Sequence, residues 1–327
     1  MSRAIVLLTL LAECLAAQQT TFKSGISIVE IDASVFNQAG IVKGLTKDDF
    51  IVTDQRRTVS LRDCVQEESA LDLVMLFELS QMMAAKRLEL RGAAESAVAA
   101  LREGDRAGIL TFRETVQVEL PLTGDLRTAK QRVRTGLAYA TFAGRPFVLS
   151  AVAQTGRYLA STGRPHGRRA ILVFSANAGF TLPDPSHIGV ASGLWDTDAI
   201  LTGIAIPTSW TRLIYDENPY RIWAMMGKSG INRFDSVDDI AVQTGGEMVY
   251  TENAGPVPQT PNPYLALRRV IDRMRQRYRL YYDMPEAKAG ERRRVSIELS
   301  PAAQRAHPDA RVVGRRGYVA PRRDATF

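Results

Sequence analysis

The spacing of hydrophobic residues changes near residue 70 and divides the chain into two kinds of structure. Before that point, ISIVEIDASVF (26–36) alternates apolar and polar residues, which predicts a half-buried strand. The following GLTKDDFIVTDQRRTVSLRDC (44–64) predicts two further short strands around a turn at 54–56. The sequence therefore predicts a small β unit ahead of the main body of the protein.

Residues 70–277 alternate apolar strands with helical stretches, which is typical of the α/β class. The segment LDLVMLF (71–77) is apolar on both faces, as central strands are in parallel sheets covered by helices. Further strands are predicted at 106–112, 169–175 and 200–206, and helices at 84–102, 125–137, 147–161 and 264–277. We therefore expect a doubly wound, mostly parallel sheet, with residues 115–120 as an antiparallel edge strand.

Strand-like segments return in YRLYYDM (278–284), RRVSIELS (293–300) and RRGYVAP (315–321). Because the two ends of a domain often lie close together, we expect these segments to pair with the strands before residue 70 and to form one small β unit with them. The predicted organisation is a signal peptide at 1–17, an N-terminal β segment at 18–69, an α/β domain at 70–277, and a C-terminal β segment and tail at 278–327.

Residues 1–17 have the layout of a secretory signal peptide. Arg3 supplies a positive charge, residues 4–12 are mostly apolar, and two alanines precede a polar segment. Cys14 raises the alternative of a lipoprotein, although the residue before a lipidated cysteine should be small and here it is acidic. We therefore expect an exported protein, periplasmic or extracellular, with no transmembrane anchor.

Cleavage of the signal peptide would leave Cys64 as the one remaining cysteine, so the mature chain could form no intramolecular disulfide. With 327 residues, 45% of them hydrophobic, the chain is long enough to be stabilised by a packed core. We expect Cys64 to be a half-buried strand residue, and a thiol that pairs with another chain is the alternative.

The net charge of +7 comes mainly from arginine, which clusters within residues 268–294. A basic face attracts polyanions, so binding of an anionic polymer or nucleic acid through 268–294 is the alternative function that the sequence suggests. A solvated helix face is the other explanation of the cluster. No aromatic interleaving of the kind that stacks on bases accompanies it, which argues against nucleic acid.

Motifs of the common enzyme classes are missing from the sequence. The histidines His166, His187 and His307 are widely separated, and no HExxH or other zinc spacing occurs. No Gly-x-Ser-x-Gly, P-loop or dinucleotide-binding glycine motif follows a strand. Ser175 and Asp105 leave a cryptic hydrolase as a third alternative. We expect a protein that is not an enzyme and has no cofactor and no small-molecule substrate.

The first buried strand continues into LVMLFELSQMM (73–83), an apolar strand followed by an acidic residue, x, Ser and x. This order resembles the metal-binding loop of von Willebrand factor A domains. The chain also resembles an exported bacterial group described as VWFA-related and common in Acidobacteria, through GLTKDDFIVTD (44–54), LREGDRAGILTF (101–112), RRAILVFS (168–175), YRLYY (278–282) and RRGYVAP (315–321). The resemblance covers nearly the whole mature chain and implies a von Willebrand A-type fold and adhesion-type binding of a protein partner.

The metal-ion-dependent adhesion site of that family holds Mg²⁺ through an Asp-x-Ser-x-Ser loop, a Thr and a further Asp. The resemblance places Glu78, Ser80, Met82, Pro146 and Ala176 at these positions. Mg²⁺ needs about six oxygen ligands, a thioether is too soft for it, and proline and alanine offer no side-chain oxygen. We therefore expect a degenerate site without metal, in which Glu78 caps the following helix or braces its loop.

Two alternatives remain at this site. A shift of one residue would place Arg145 at the threonine position, where its positive charge would repel a metal ion. Asn177 and Gln81 could add weak carbonyl ligands beside Glu78 and restore some affinity for Mg²⁺.

The segment 207–234 is the candidate partner-binding surface, because its aromatic density differs from that of the rest of the chain. The candidates for partner contact are Trp210, Tyr215, Tyr220 and Trp223. Tyrosine, tryptophan and arginine are the residue types that anchor protein interfaces. The alternative is that these rings cover the sheet edge or pack beneath the loop itself.

Overall fold

The computed structural model describes residues 27–165, 167–177, 186–208, 237–251 and 263–321, with the backbone alone at 263–265. The strands in these ranges are β1 (Ile28–Asn37), β2 (Gly40–Ile41), β3 (Phe50–Asp54), β4 (Arg57–Val59), β5 (Leu61–Glu68), β6 (Leu71–Glu78), β7 (Arg106–Phe112), β8 (Val116–Thr123), β9 (Arg168–Ser175), β10 (Ala199–Ala205), β11 (Met248–Tyr250), β12 (Gln276–Asp283), β13 (Arg292–Leu299), β14 (Arg311–Gly314) and β15 (Gly317–Val319).

The α-helices in these ranges are α1 (Arg87–Ala99), α2 (Leu126–Tyr139), α3 (Val148–Thr162), α4 (His187–Asp196), α5 (Asp238–Thr244), α6 (Pro263–Arg275) and α7 (Pro301–Ala306). Two short 3-10 helices lie at Lys47–Asp49 and Gln81–Lys86. None of the helices in the described ranges has the length and the apolar character needed to cross a membrane.

The central sheet has six strands in the order β11-β10-β9-β6-β7-β8. Neighbouring strands run parallel from β11 to β7, and β8 pairs antiparallel with β7 at the edge. Strands β6, β9 and β10 are buried over almost their whole length, which explains why their sequences are continuous apolar runs.

Helices cover both faces of the central sheet. Successive side chains of a strand point to opposite faces, so each strand contributes residues to a core on each side. On one face, Met75 and Phe77 pack with residues of α1, α2 and α6, and the ring of Phe77 stacks on Phe174 with centroids 4.7 Å apart. On the other face, Val74 and Leu76 pack with residues of α3, α4 and α5. The sheet is therefore buried on both sides.

Strands from the two ends of the chain form two antiparallel sheets beside the α/β part. One has the order β14-β1-β12-β5, with β2 added to β1, and the other has the order β15-β13-β3-β4. Their shared core includes Phe50, Tyr278 and Tyr282, and the rings of Phe50 and Tyr278 lie 5.3 Å apart. The strands before residue 70 therefore pair with those after residue 275.

The mixed α/β class is as the sequence predicts, and the expectation of a mostly parallel sheet applies to one sheet of three. The other two sheets are antiparallel, so the sheets of the described chain are largely antiparallel when taken together. Helix α6 ends at Arg275 and not at 277, because Arg277 already lies in β12 with its side chain buried against the carbonyls of Gly245 and Val313. Cys64 is half-buried on β5, as predicted, and burial raises the pKa of its thiol to about 11.

A buried ion pair connects the α/β part to the flanking sheets. Arg275, the last residue of α6, donates from Nη2 to Oδ2 of Asp105 at 2.5 Å, and its side chain is only 3% exposed. Asp105 also accepts from the backbone N–H groups of Leu71 and Arg102, at 2.8 and 2.9 Å. Asp105 therefore fixes the start of β6 to the point where α6 becomes β12.

Replacing Arg275 by methionine should lower the free energy of unfolding by ~3–5 kcal/mol, because it leaves the Asp105 carboxylate buried without its cation. Adding Asp105→Asn should recover part of that loss, since no uncompensated charge then remains. Urea unfolding measures both effects. Arg268→Met, at an exposed position of the same helix, is the matched control and should change stability by less than ~0.5 kcal/mol. A double variant no more stable than the single one would contradict this account.

Candidate functional site

The central sheet has a topological switch point between β6 and β9. The chain leaves β6 for β7 on one side, whereas it leaves β9 for β10 on the other side. In open α/β sheets, the crevice outside the carboxyl ends of two such strands is the usual binding position. Glu78 is the last residue of β6 and Ser175 is the last residue of β9, so both lie at this crevice.

The carboxyl group of Glu78 is fully buried and is bonded through both of its oxygens. Oε1 accepts a hydrogen bond from the hydroxyl of Ser80. Oε2 accepts from the hydroxyl of Ser175 at 2.6 Å and from the backbone N–H of Ala176 at 3.0 Å. Glu78 therefore joins the carboxyl end of β6 to that of β9.

A third segment, the loop before α3, meets the first loop at the same edge of the sheet. The N–H of Ala143 donates to the carbonyl of Leu79 at 3.0 Å, and that of Gln81 donates to the carbonyl of Gly144 at 3.3 Å. Pro146 lies buried in this loop. The structure therefore brings together the three segments in which the sequence placed candidate metal positions.

A second layer of hydrogen bonds fixes the start of α5 against the loop after β9. Asn177, at φ 56°, donates from Nδ2 to Asp238 Oδ2 at 2.6 Å and accepts at Oδ1 from the N–H of Val237 at 3.0 Å. Tyr250 donates its hydroxyl proton to Asp238 Oδ1 at 2.8 Å. Sequence reasoning missed the roles of Asp238 and Tyr250. The signal for Asp238 is its place in the first turn of α5, soon after the predicted aromatic segment 207–234.

Burial raises the pKa of the Glu78 carboxyl group, because removal from water penalises its charged form. The hydrogen bonds from Ser175, Ser80 and Ala176 act in the opposite direction and offset part of this rise. All three donors are loop or strand-end groups and none is a helix amide, so Glu78 braces the loops and does not cap the following helix.

The donor set at the switch point does not fit the oxygen cage that Mg²⁺ requires. Both oxygens of Glu78 already accept hydrogen bonds, and Ala176 presents an N–H group, which cannot coordinate a cation. Met82, which is half-buried, has only a thioether, and Pro146 has no side-chain donor atom. In the described residues, no cluster of three or more His, Cys, Asp or Glu side chains has the arrangement of a metal site.

The weaker ligands considered for the site are also engaged or placed elsewhere. The side-chain carbonyl of Asn177 accepts from Val237, so it is not aimed at an empty position beside Glu78. Gln81 is exposed, and Arg145 is exposed at the loop before α3.

Most of the arginines in 268–294 form internal contacts and do not make an open basic face. The pairs are Arg273 with Glu247, Arg275 with Asp105, Arg277 with the carbonyls of Gly245 and Val313, Arg279 with Glu30 and Glu67, and Arg293 with Asp54 and Glu291. The exposed members are Arg268, Arg269, Arg292 and Arg294. The cluster is therefore mainly a set of structural ion pairs.

The two residues of the hydrolase alternative lie at opposite ends of the central sheet. Asp105 precedes β7 at the amino end, and Ser175 closes β9 at the carboxyl end. Ser175 also accepts from the N–H of Asn177 at 2.9 Å, so its hydroxyl is held on both sides. His187 begins α4 and His307 follows α7, and His166 lies outside the described residues.

Two groups of predicted features fall outside the described residues. The signal peptide 1–17 is one of them. The aromatic candidates Trp210, Tyr215, Tyr220 and Trp223 are the other, since the description stops at 208 and resumes at 237. Both predictions stand as the sequence made them.

Several solved structures are similar to this chain. BatB from Bacteroides thetaiotaomicron, described as a conserved hypothetical protein, has 14% identity and a TM-score of 0.42, over 63% of this chain and 98% of that one. A von Willebrand factor type A structure from Catenulispora acidiphila has 11% identity and a TM-score of 0.44, over 93% and 76%. Proximal thread matrix protein 1 from the mussel byssus has 14% identity and a TM-score of 0.42, over 64% and 49%.

No protein-family model matches the sequence, and no curated protein does. The three TM-scores are below 0.5, so these likenesses alone establish no family membership and no activity. The strand order and the buried Glu78 are the observations on which a functional proposal can rest.

Replacing Glu78 by alanine should lower the free energy of unfolding by ~3 kcal/mol, because Ser80, Ser175 and the N–H of Ala176 lose their acceptor in a buried site and a cavity remains. Urea unfolding of the purified chain measures the loss. Glu89→Ala, at a partly exposed position on α1, is the control and should cost much less. A Glu78 variant as stable as the control would contradict the bracing role.

Replacing Glu78 by glutamine should remove a pH dependence of stability. Because the pKa of Glu78 is raised in the folded state, its favourable contribution is complete below the unfolded pKa, ~4.3, and is lost as pH rises through the folded pKa. The stability of Glu78→Gln relative to the wild type should therefore increase with pH above ~4.3. Urea unfolding of both proteins over a pH series tests this, and a difference that does not change with pH would contradict it.

Proposed function

We propose that this chain is an exported, von Willebrand A-like protein-interaction module that works without catalysis and without a bound metal. The observation that supports it most directly is the closed hydrogen-bond arrangement of Glu78 at the switch point. Its partner is a protein, which the resemblance implies, and its location is the periplasm or the exterior of the cell.

Glu78 connects loops at the edge of the sheet, as a metal ion does when it is coordinated by several loops. Its side chain is one methylene longer than that of aspartate, and its Oε2 contacts both Ser175 and Ala176 on the neighbouring strand end. The two strand ends are thereby joined directly through protein groups. An ion placed between them would have to displace at least one of these donors.

The von Willebrand A-like assignment rests on strand order together with sequence motifs. A doubly wound core is supported by helices on both faces of the central sheet and by the switch point between β6 and β9. The motifs that resemble the VWFA-related group include the flanking strands, which pair with one another. The proposal therefore treats 27–321 as one unit of this kind.

A catalytic role has little support in the described residues. The hydroxyl of Ser175 donates to a carboxyl group and is buried, so it is not presented to a substrate. Asp105 is engaged by Arg275 at the far end of the sheet. Nucleophilic catalysis needs a nucleophile, a base and an approach for substrate in one place.

Binding of an anionic polymer through 268–294 is also poorly supported. Five arginines of that stretch have carboxylate or carbonyl partners within the protein. Two of them, Arg275 and Arg293, are in buried ion pairs with Asp105 and Asp54, and breaking these pairs to bind a polyanion would cost several kcal/mol each. The predicted aromatic residues at 207–234 therefore remain the first candidates for partner contact.

The absence of a functional metal site predicts that the melting temperature does not respond to divalent cations. Melting curves of the mature protein with excess Mg²⁺, Mn²⁺ or EDTA should coincide. A ligand bound only to the folded state at 100 times its dissociation constant would add ~2.7 kcal/mol and raise the midpoint visibly. A rise with Mg²⁺ that Glu78→Ala abolishes would overturn the metal-free part of the proposal.

Substituting Trp210 and Trp223 by alanine should weaken partner capture without lowering the melting temperature of the chain. The measurement is quantitative proteomics of proteins retained from an envelope extract by the immobilised wild type and variant. Trp195→Phe is a poor control because its indole is buried, so Val118→Ala, at an exposed apolar position on β8 outside both candidate surfaces, serves instead. An unchanged set of retained proteins in the tryptophan variant would count against the aromatic segment as the interface.

A further inference from the structure

A groove on the outer surface of α1 and α2 has a lining with a net positive charge. It has a volume of about 650 Å³ and is lined by Arg91, Glu95, Arg127, Lys130, Gln131, Arg134, Thr135, Ala138 and Tyr139. Four of these side chains are cationic and one is a carboxylate. The groove lies on a helical face, and none of its lining residues belongs to the loops of the switch point or to the arginine-rich stretch 268–294.

The two helices run side by side in opposite directions, which defines the ends of the groove. Arg87, at the start of α1, donates to the carbonyls of Leu137 and Ala138 at the end of α2. The start of α1 and the end of α2 therefore lie together. Arg127, at the start of α2, marks the opposite end of the groove.

Arg91 and Arg134 lie near the carboxylate of Glu95 but form no hydrogen bond with it. Glu95 Oε1 lies 3.6 Å from Arg134 Nε and 3.9 Å from Arg91 Nε, beyond hydrogen-bond distance. Arg134 is 66% exposed. Direct charge-assisted hydrogen bonds from arginine to carboxylate are shorter and stronger than these contacts, so a second carboxylate could improve on them.

One end of the groove carries exposed apolar side chains. Tyr139 is 86% exposed and Leu88 is 71% exposed, and both lie at the end where α1 begins and α2 stops. An exposed tyrosine beside arginines has the composition of an interface anchor. The groove therefore combines positive charge along its length with an apolar contact at one end.

We infer that this groove binds an acidic peptide segment of a partner protein, with carboxylates on Arg127 and Arg134 and an apolar side chain on Tyr139. At ~1.5 Å per helical residue, Arg127 and Arg134 are separated by ~10 Å and Tyr139 lies ~8 Å further. An extended peptide advances ~3.3 Å per residue, so the matching pattern is Asp-x-x-Asp-x-Leu. The inference rests on the proposed role in protein interaction and names the chemistry of a partner at a different set of residues.

An acidic peptide fits this surface better than a nucleic acid does. Glu95 demonstrates that a carboxylate is accommodated between Arg91 and Arg134. Tyr139 is the one aromatic residue of the groove lining, whereas proteins that bind single strands stack successive bases on several rings. The net charge of the lining is modest compared with the extended basic tracks that follow a phosphate backbone.

The test uses the purified full chain and synthetic peptides with an uncharged fluorophore, read by fluorescence anisotropy at low salt. Peptides carrying Asp-x-x-Asp-x-Leu should bind, those carrying Asn-x-x-Asn-x-Leu should not, and those carrying Asp-x-x-Asp-x-Ser should bind more weakly. The variant Arg127→Glu with Arg134→Glu should weaken binding at least tenfold. Arg268→Glu with Arg269→Glu makes the same charge change at exposed positions of α6 and should have little effect.

Further variants keep the result interpretable. If the double reversal does not fold, Arg127→Gln with Arg134→Gln removes the charge without adding repulsion and should still weaken binding several-fold. Tyr139→Ala should reduce binding of the Leu-containing peptide to that of the Ser-containing one.

Equal binding of the acidic and amide peptides would overturn the inference, and so would binding that the α6 variant lowers as much as the groove variant. Tighter binding of a short single-stranded oligonucleotide, lost in the groove variant, would replace the peptide by a nucleic acid. Self-association of the chain that the groove variant abolishes would replace it by a second copy. Because the peptides are synthetic, these outcomes are separate from partner capture through Trp210 and Trp223, which tests the proposed function.

Discussion

The hydrogen bonds of one buried carboxyl group determine the shape of the edge where a binding site would be expected. Glu78 is the last residue of β6 and accepts hydrogen bonds from Ser80 in the following loop and from Ser175 and Ala176 at the end of β9. These bonds hold the ends of β6 and β9 together at the switch point. A buried acidic group is tolerated only when its polar atoms are satisfied. The positions of Ser80 and Ser175 therefore depend on Glu78, and the start of α5 depends in turn on the loop after Ser175.

The flanking sheets depend on a second set of buried polar contacts. Asp54 accepts from Arg293 and from the hydroxyls of Tyr282 and Tyr318, which joins the four strands β3, β12, β13 and β15. The same stretch of sequence that provides Arg293 also provides Arg275 for Asp105. A high density of arginine in this chain thus reflects internal pairing at strand and helix junctions.

Features determined by local sequence could be predicted, and features determined by distant partners could not. The apolar runs of β6, β7, β9 and β10 identify strands buried on both faces, and Glu78 was recognisable because it directly follows one of them. The bond between Ser175 and Glu78 joins residues 97 positions apart, and a serine at a strand end has no local signature. Helix α4 was missed because it is almost uniformly apolar with two glycines, whereas the start of α7 was signalled by Ser300 before Pro301 and was overlooked.

The pairing of β1 with both β12 and β14 also determines how the protein would transmit tension. Hydrogen bonds between antiparallel strands run perpendicular to the strands, and those from β1 to β14 connect residues near the two ends of the described chain. A pull applied between those ends would load the pairings of β1 with β12 and β14 and of β15 with β13, all in the flanking sheets, before it reached the central sheet. The α/β part, with its closed strand edge and its charged groove, would thus keep its shape while the flanking sheets bore the force.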